Sequence, residues 1–381
     1  MSESFSFDAK IAGPWRYVPA VSFAAIMLTG LVVSVSSLMN VSQKTWQEMA
    51  PVQRIVQGES TRRFTTQLNE HFLWSKPFAK IQRAVDWNIA RDTGAAVSVG
   101  CTDWFFLNDE LNTFDGGAQN ANARAYMVQQ VAHLLKQRGV SLMVAVVPDK
   151  TRIEQEHLCG VHRPAAFAQR AEMWINSLRK NQVEVIDLRE ALESVKAERY
   201  YRTDSHWNET GADAAALAIA RRLQDLQLAD KTDLKPAPGA IKTVTEERPG
   251  DLFRVSNLEG VPLWLRPPVE KVANSTVAPV VNKSDDLFGD GGLPSIALVG
   301  TSFSLRGNFV PFMSQHLGVP VANLAKDGGD FDGAAMTYLQ SKAFQQEPPK
   351  VVIWEVPERM LQKPFKESER QWLEKLKQGQ L

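Results

Sequence analysis

Ser302 sits in IALVGTSFS (296–304), where an apolar run suited to a buried strand reaches a glycine and then a serine at the point where a helix can begin. A strand-turn-helix corner of this kind lifts a side chain above the sheet edge and surrounds its hydroxyl with backbone N–H groups, the setting of a nucleophile. A serine hydroxyl is a poor nucleophile until a base takes its proton, and that base needs its other nitrogen held by a partner. YRTDSHWNETG (201–211) supplies such a pair, with Asp204 and His206 two residues apart ahead of a helix. Each segment also has a plainer reading, in which Thr301 or Ser302 caps one helix, Asp204 or Asn208 caps the other, and His206 is an ordinary surface histidine. Two such segments at two strand-to-helix junctions favour chemistry, because a parallel sheet gathers its active site there.

Other polar residues fall at predicted strand ends: Asp149 and Lys150, Asn323, the pair Gly328 and Gly329, and Glu355 with Arg359. The glycine pair can bring backbone N–H groups up to a developing oxyanion beside the N–H of Ser302, so Gly328, Gly329, Asn323 and Thr301 form the expected oxyanion and substrate-binding set. Glu355 and Arg359 read as an internal ion pair at helix spacing. Asp204, His206, His157 and His162 are conceivable metal ligands, but HExxH and Cys/His clusters are lacking, and no metal is expected. Cys101 and Cys159 are too few for a disulfide scaffold and too far apart for a zinc ribbon or a CxxC centre; one disulfide and two free thiols both fit.

These residues need strands and helices to place them. VSLMVAVVPDK (140–150), VEVIDLRE (183–190), SIALVGTSFS (295–304), PVANLAKDGG (320–329) and KVVIWEVPER (350–359) read as strands. Amphipathic helical segments lie between them at 123–139, 165–181, 211–226 and 330–344. Apolar strands separated by helices predict an α/β fold with a mostly parallel sheet covered on both faces, in a domain spanning 96–365. From about 228 to 290 prolines, glycines and short β-like pieces predict an irregular insertion, with room for a small antiparallel sheet. Residues 366–381 read as a polar, solvated C-terminal helix, and 40–95 as a helical lead-in or stalk.

Tyr17–Met39 is an uncharged apolar stretch, and a helix of about 20 residues crosses the hydrocarbon core. Trp15, Arg16, Gln43, Lys44 and Trp46 flank it with groups suited to the interfaces. Its length and its exit, SVSSLMNVSQ, fit a retained anchor better than a cleaved signal peptide. A short cytoplasmic tail (1–16) and a large periplasmic or extracellular body follow, where a Cys101–Cys159 disulfide is permitted. The chain has 381 residues, 43 basic and 43 acidic, so no global field draws it to nucleic acid.

DWFFLNDEL (103–111), VVPDK (146–150), TDSHWNETGA (203–212), GTSFS (300–304), NLAKDGG (323–329) and WEVPER (354–359) together resemble the SGNH-like acyltransferases of bacterial exopolysaccharide modification, the family of the alginate O-acetylation proteins of AlgJ and AlgX type. TDSHWN followed by GTSFS is the specific part. In that family the Asp-x-His pair precedes the serine, the reverse of ordinary SGNH hydrolases, and this sequence has that order. The resemblance implies an SGNH-hydrolase-like three-layer α/β/α fold, with Ser302 as nucleophile, His206 as base and Asp204 as its orienting carboxylate. It further implies an O-acetyltransferase anchored in the inner membrane and acting in the periplasm on an exopolysaccharide, alginate-like or cellulose-like. No cofactor is expected to be bound; acetyl groups from cytoplasmic acetyl-CoA would arrive through a membrane-bound O-acyltransferase (MBOAT) partner. The chain ends soon after the last predicted strand, leaving no length for a C-terminal carbohydrate-binding module, so the resemblance is closer to AlgJ. Two rivals share these residues: an esterase delivering acyl groups to water, and a non-catalytic scaffold or polysaccharide-binding subunit of a secretion complex.

Overall fold

Five apolar runs form the central sheet of a computed structural model that describes residues 17–71, 75–101, 103–230, 236, 239–280 and 294–381. The strands are β1 (Ser141–Val147), β2 (Glu184–Asp187), β3 (Ile296–Val299), β4 (Val321–Asn323) and β5 (Val351–Pro357). Their order is β2-β1-β5-β3-β4, and every neighbouring pair is parallel. β5 is buried along its whole length, as a central parallel strand covered on both faces must be.

Side chains alternate between two cores, because successive strand residues point to opposite faces. Met143, Ala145, Val147, Ile296, Leu298 and Ile353 meet the helices Glu209–Asp225 and Phe309–Leu317 on one face. Leu142, Val144, Val146, Val352, Trp354 and Val356 meet Gly117–Gln137, Arg170–Lys180 and Gly333–Leu339 on the other. Ala212, Ala215, Ala216 and Ala220 line the buried face of Glu209–Asp225, which lets that helix lie close to the sheet that carries the site. The predicted α/β/α layers are therefore present, and all five predicted strands form.

Several elements depart from expectation. Phe309–Leu317, which no amphipathic pattern announces, is a helix buried nearly all round. The helix expected over 330–344 breaks into Gly333–Leu339 and Lys342–Gln346, the second capped by Ser341. The expected solvated tail is a helix, Glu367–Lys377, but it packs on the core: Trp372 and Leu376 are buried, and the buried Glu369 takes two bonds of 2.8 Å from Arg124. Within the insertion, Ile241–Arg248 and Glu270–Val277 form the small antiparallel sheet, with a short helix, Asp251–Val255, between them. Residues 231–235, 237–238 and 281–293 of that insertion, and the tail 1–16, lie outside the described residues. Cys101 and Cys159 form a disulfide, with Cα atoms 5.4 Å apart.

The chain divides into two compact units, one through Val85 and one from Asp86 to Leu381. In the first, Val18–Met39 is a 22-residue helix long and apolar enough to cross a membrane. The helices Gln43–Met49, Val52–Val56 and Glu59–His71 follow, and the helix Ser75–Ala90 runs from this unit into the next. Residues 86–95, assigned from sequence to the lead-in, belong to the second unit; Trp87 is buried there with its ring centroid 5.7 Å from that of Phe105.

Candidate active site

Ser302 opens a turn of 3-10 helix, Ser302–Leu305, directly after β3. The turn is pinned from three sides. Glu355, on β5, accepts hydrogen bonds from the Thr301 N–H (2.6 Å), the Thr301 hydroxyl and the Ser304 hydroxyl (3.0 Å). Asn323, at the end of β4, donates to the Ser304 carbonyl (2.9 Å), and the Trp207 indole donates to the Phe303 carbonyl (3.1 Å). Gly300 is required where strand meets turn, since a Cβ there would lie 2.5 Å from a Glu355 carboxylate oxygen. Burial pushes the Glu355 carboxyl up against these three donors.

Asp204 and His206 lie in a loop between Tyr200 and Trp207, which face each other in an antiparallel bridge. Asn208 closes the loop by capping Glu209–Asp225, its side chain accepting from the Gly211 N–H, so the cap falls to Asn208 and Asp204 is left for the imidazole. The loop's backbone groups are almost fully matched. Glu270 accepts from the N–H groups of Arg202 (2.8 Å) and Thr203 (3.1 Å), and Asp251 accepts from that of Ser205 (2.7 Å). The His206 N–H goes to Asp204 Oδ1 (3.0 Å). On the carbonyl side, the buried Lys150 ammonium donates to Arg202 (3.0 Å) and Asp204 (2.9 Å), and also to Phe105 (2.6 Å). Leu252 and Tyr201 supply N–H groups to the carbonyls of Thr203 and His206.

This scaffolding brings three side chains into line. His206 Nε2 is 2.7 Å from Ser302 Oγ, and His206 Nδ1 is 2.6 Å from Asp204 Oδ1. Because an ionised Asp204 can only accept, Nδ1 carries the imidazole proton and Nε2 is free to take the one on Ser302. Asp204 is 1% exposed; burial raises its carboxyl, but the hydrogen bond and charge of His206, the Arg248 guanidinium and the Asp251 N–H together hold it well below the ordinary carboxylate range. Phe303 stands edge-on to the His206 ring at 4.9 Å between centroids and limits its tilt. Ser302, His206 and Asp204 thus stand in the relation that general-base activation of a serine needs.

The expected oxyanion set is rearranged. The Thr301 hydroxyl and N–H are bound to Glu355, and that hydroxyl also accepts from the Phe303 N–H, so Thr301 is a cap. Asn323 is likewise engaged with Ser304 and the Ala325 N–H. Gly328 takes the positive φ of 65° that its turn requires, and the Gly329 N–H closes this turn on the Lys326 carbonyl (3.0 Å), which occupies that donor, while Asn323 Nδ2 keeps a second hydrogen beyond the one given to Ser304. The Ser302 N–H, by contrast, has no partner among the described residues and remains available to an oxyanion. Glu355 and Arg359 are not paired as expected: they sit at and beyond the end of a strand, and Arg359 pairs with Glu110 at 3.2 Å.

Asp204, His206 and Asp251 offer ligand atoms within 4.8 Å of one another, but Arg248 and the Asp251 N–H already fill the outer oxygen of Asp204. His157 belongs to a separate group with Glu154 and Glu156, and Arg199 ties up Glu154. Arg248, Asp251 and Glu270 were not marked by the sequence. They lie in the insertion, where no periodicity ties a charged residue to a loop that precedes it by 44 or more positions. The one local sign is Pro249-Gly250, a turn dipeptide beside Asp251.

Lys150 gives a direct test of the scaffold. It is fully buried, and burial, set against surrounding carboxylates, lowers its pKa to about 8. Lys150→Met nearly keeps the length of the side chain but takes a charged donor from three backbone carbonyls, of which that of Arg202 retains the Phe105 N–H, and is expected to cost about 2–4 kcal/mol of folding stability. Chemical denaturation would show this as a lower midpoint, whereas an unchanged midpoint would mean that Lys150 does not hold the loop.

Residues 97–358 match the family described as SGNH hydrolase-like domain, acetyltransferase AlgX. The chain belongs to this family. It is 31% identical over 336 residues to a Pseudomonas fluorescens protein named "Probable alginate O-acetylase AlgJ", covering 85% of this chain and 84% of that one. A Pseudomonas aeruginosa protein of the same name is 28% identical over 369 residues, covering 92% and 91% respectively. Among solved structures, the O-acetyltransferase domain of Pseudomonas putida AlgJ superposes with a TM-score of 0.63 at 30% identity, covering 75% of this chain and 99% of that domain. The fold implied by the sequence resemblance is therefore the observed one.

Proposed function

We propose that this protein is an acetyltransferase that moves acetyl groups, through an ester on Ser302, to hydroxyls of an extracellular polysaccharide. The observation that carries the reading is the Ser302–His206–Asp204 alignment, with contacts of 2.7 and 2.6 Å, in a member of an acetyltransferase family. In the first half-reaction Ser302 Oγ attacks the acetyl carbonyl of the donor while its proton passes to His206 Nε2; the tetrahedral oxyanion meets the Ser302 N–H. His206 returns the proton to the departing donor oxygen or sulfur, leaving Ser302 acetylated. A sugar hydroxyl then gives its proton to Nε2, attacks the acetyl carbon and displaces Ser302 Oγ, which recovers the proton.

The names of the relatives make alginate the first polymer to test. On this reading a membrane-bound O-acyltransferase hands over the acetyl group and the chain itself holds no cofactor. An anchor at Val18–Met39 and a periplasmic site accord with that arrangement. Acceptor choice separates a transferase from an esterase. With an activated acetyl ester and mannuronate oligomers, acetylated oligomer is expected to form faster than free acetate accumulates. Acetate release that oligomers do not divert would make the protein an esterase.

A further inference from the structure

Asp204 meets His206 through Oδ1, and Oδ2 is held entirely by the insertion. Arg248 Nη2 donates to Oδ2 at 2.9 Å and the Asp251 N–H at 3.1 Å. The Asp251 carboxylate accepts from the Ser205 N–H and hydroxyl at 2.7 Å each, and its Oδ2 lies 3.5 Å from His206 Nδ1. The two loops, 203–206 and 248–251, are thus zipped together along their length. Gly250 makes this possible: a Cβ there would run into the Thr203 carbonyl and the Asp204 nitrogen, so only glycine lets the strands of chain approach so closely. The hairpin strand Ile241–Arg248 ends at the residue whose guanidinium faces Asp204, and the same guanidinium lies 4.7 Å from the Tyr201 ring centroid, which fixes its plane.

A buried carboxylate turns about its last torsion more readily the more weakly its second oxygen is held, and of the two donors on Asp204 Oδ2 Arg248 is the charged and shorter one. We propose that Arg248 is a positioning residue of the catalytic centre, fixing the carboxylate plane of Asp204 so that Oδ1 stays on His206 Nδ1 while the imidazole takes and returns the proton. The inference rests on the Ser302–His206–Asp204 reading and assigns the insertion a role in catalysis. Arg248 does not touch Ser302 or the reacting atoms; it acts through Asp204. Its side chain is 29% exposed, so a small cation can reach the place it vacates.

The test uses the full chain in detergent, an activated acetyl ester, and the rate at which acetyl appears on the protein. Arg248→Ala is expected to lower that rate at saturating ester by about 10- to 100-fold, the cost of a small misplacement of a catalytic group, with the KM for the ester unchanged. Low-millimolar guanidinium is expected to restore much of the rate to Arg248→Ala and none to wild type, and Arg248→Lys should retain an intermediate rate. An Arg248→Ala protein that acetylates as fast as wild type overturns the inference, as does a slow one that neither guanidinium nor lysine improves, since that pattern marks a fold-level defect. Ser302→Ala in the same assay keeps the two ideas apart. Acetyl still appearing on Ser302→Ala sinks the triad itself, whereas acetyl lost from Ser302→Ala but unaffected in Arg248→Ala leaves the triad standing without the positioning role.

Discussion

Ser302→Ala lowers acetyl transfer to polysaccharide by about 10⁴-fold or more, the loss expected when one member of a serine triad is removed. The substitution removes the only atom of the turn that His206 Nε2 contacts at 2.7 Å, while Thr301, Ser304 and Asn323 keep their own bonds to Glu355 and across to β4. The protein should therefore fold and melt as wild type does and yet leave its polymer unacetylated. In cells whose own copy has been deleted, polymer acetylation restored by the wild-type gene and not by Ser302→Ala is the expected outcome. Acetylation restored equally by both would put the protein among the non-catalytic subunits.

Asp204→Asn should be nearly as damaging, about 10⁴-fold, for a different reason. The amide has the shape of the carboxylate but only one accepting oxygen, and two sides of Asp204 demand an acceptor: His206 at 2.6 Å and Arg248 at 2.9 Å. If the amide oxygen stays with Arg248, its NH₂ faces His206 Nδ1, which must then accept and carry its proton on Nε2, where it blocks the proton of Ser302. The two proteins also respond differently to acid. The depressed carboxyl of Asp204 contributes stability above its unfolded value, about 3.9, and loses it as the pH falls below that value towards the folded one. The amide of the variant cannot titrate, so acid unfolding curves of Asp204→Asn should lack that component, and turnover assays should show the loss at every pH.

The architecture was legible because its signal is local. The central strands are short apolar runs whose burial follows from helices on both faces, and β5 shows this best: VVIWEVP is buried at every position. Ser302, His206 and Asp204 could be named because strand-end position and residue type suffice to propose a triad. Two of the donors expected for an oxyanion are engaged elsewhere for a physical reason. Thr301 and Gly329 occupy the right strand ends, but a backbone N–H can be given once: that of Thr301 goes to Glu355, more than fifty residues away, and that of Gly329 to Lys326 in its own turn. Arg248, Asp251 and Glu270 escaped notice on the same grounds, since their role depends on a hairpin folding back onto a loop that precedes it. The C-terminal helix was misjudged because its charges dominate its composition, while the stripe that decides its place is only Trp372, Leu376 and the Arg124-bound Glu369.

The most direct test of a serine acyl-enzyme is intact-protein mass spectrometry of the full chain after brief exposure to an activated acetyl ester, beside Ser302→Ala and His206→Ala. A single acetyl adduct on wild type, absent from Ser302→Ala and much slower to form on His206→Ala, is the predicted result. An adduct that persists on Ser302→Ala would contradict the account.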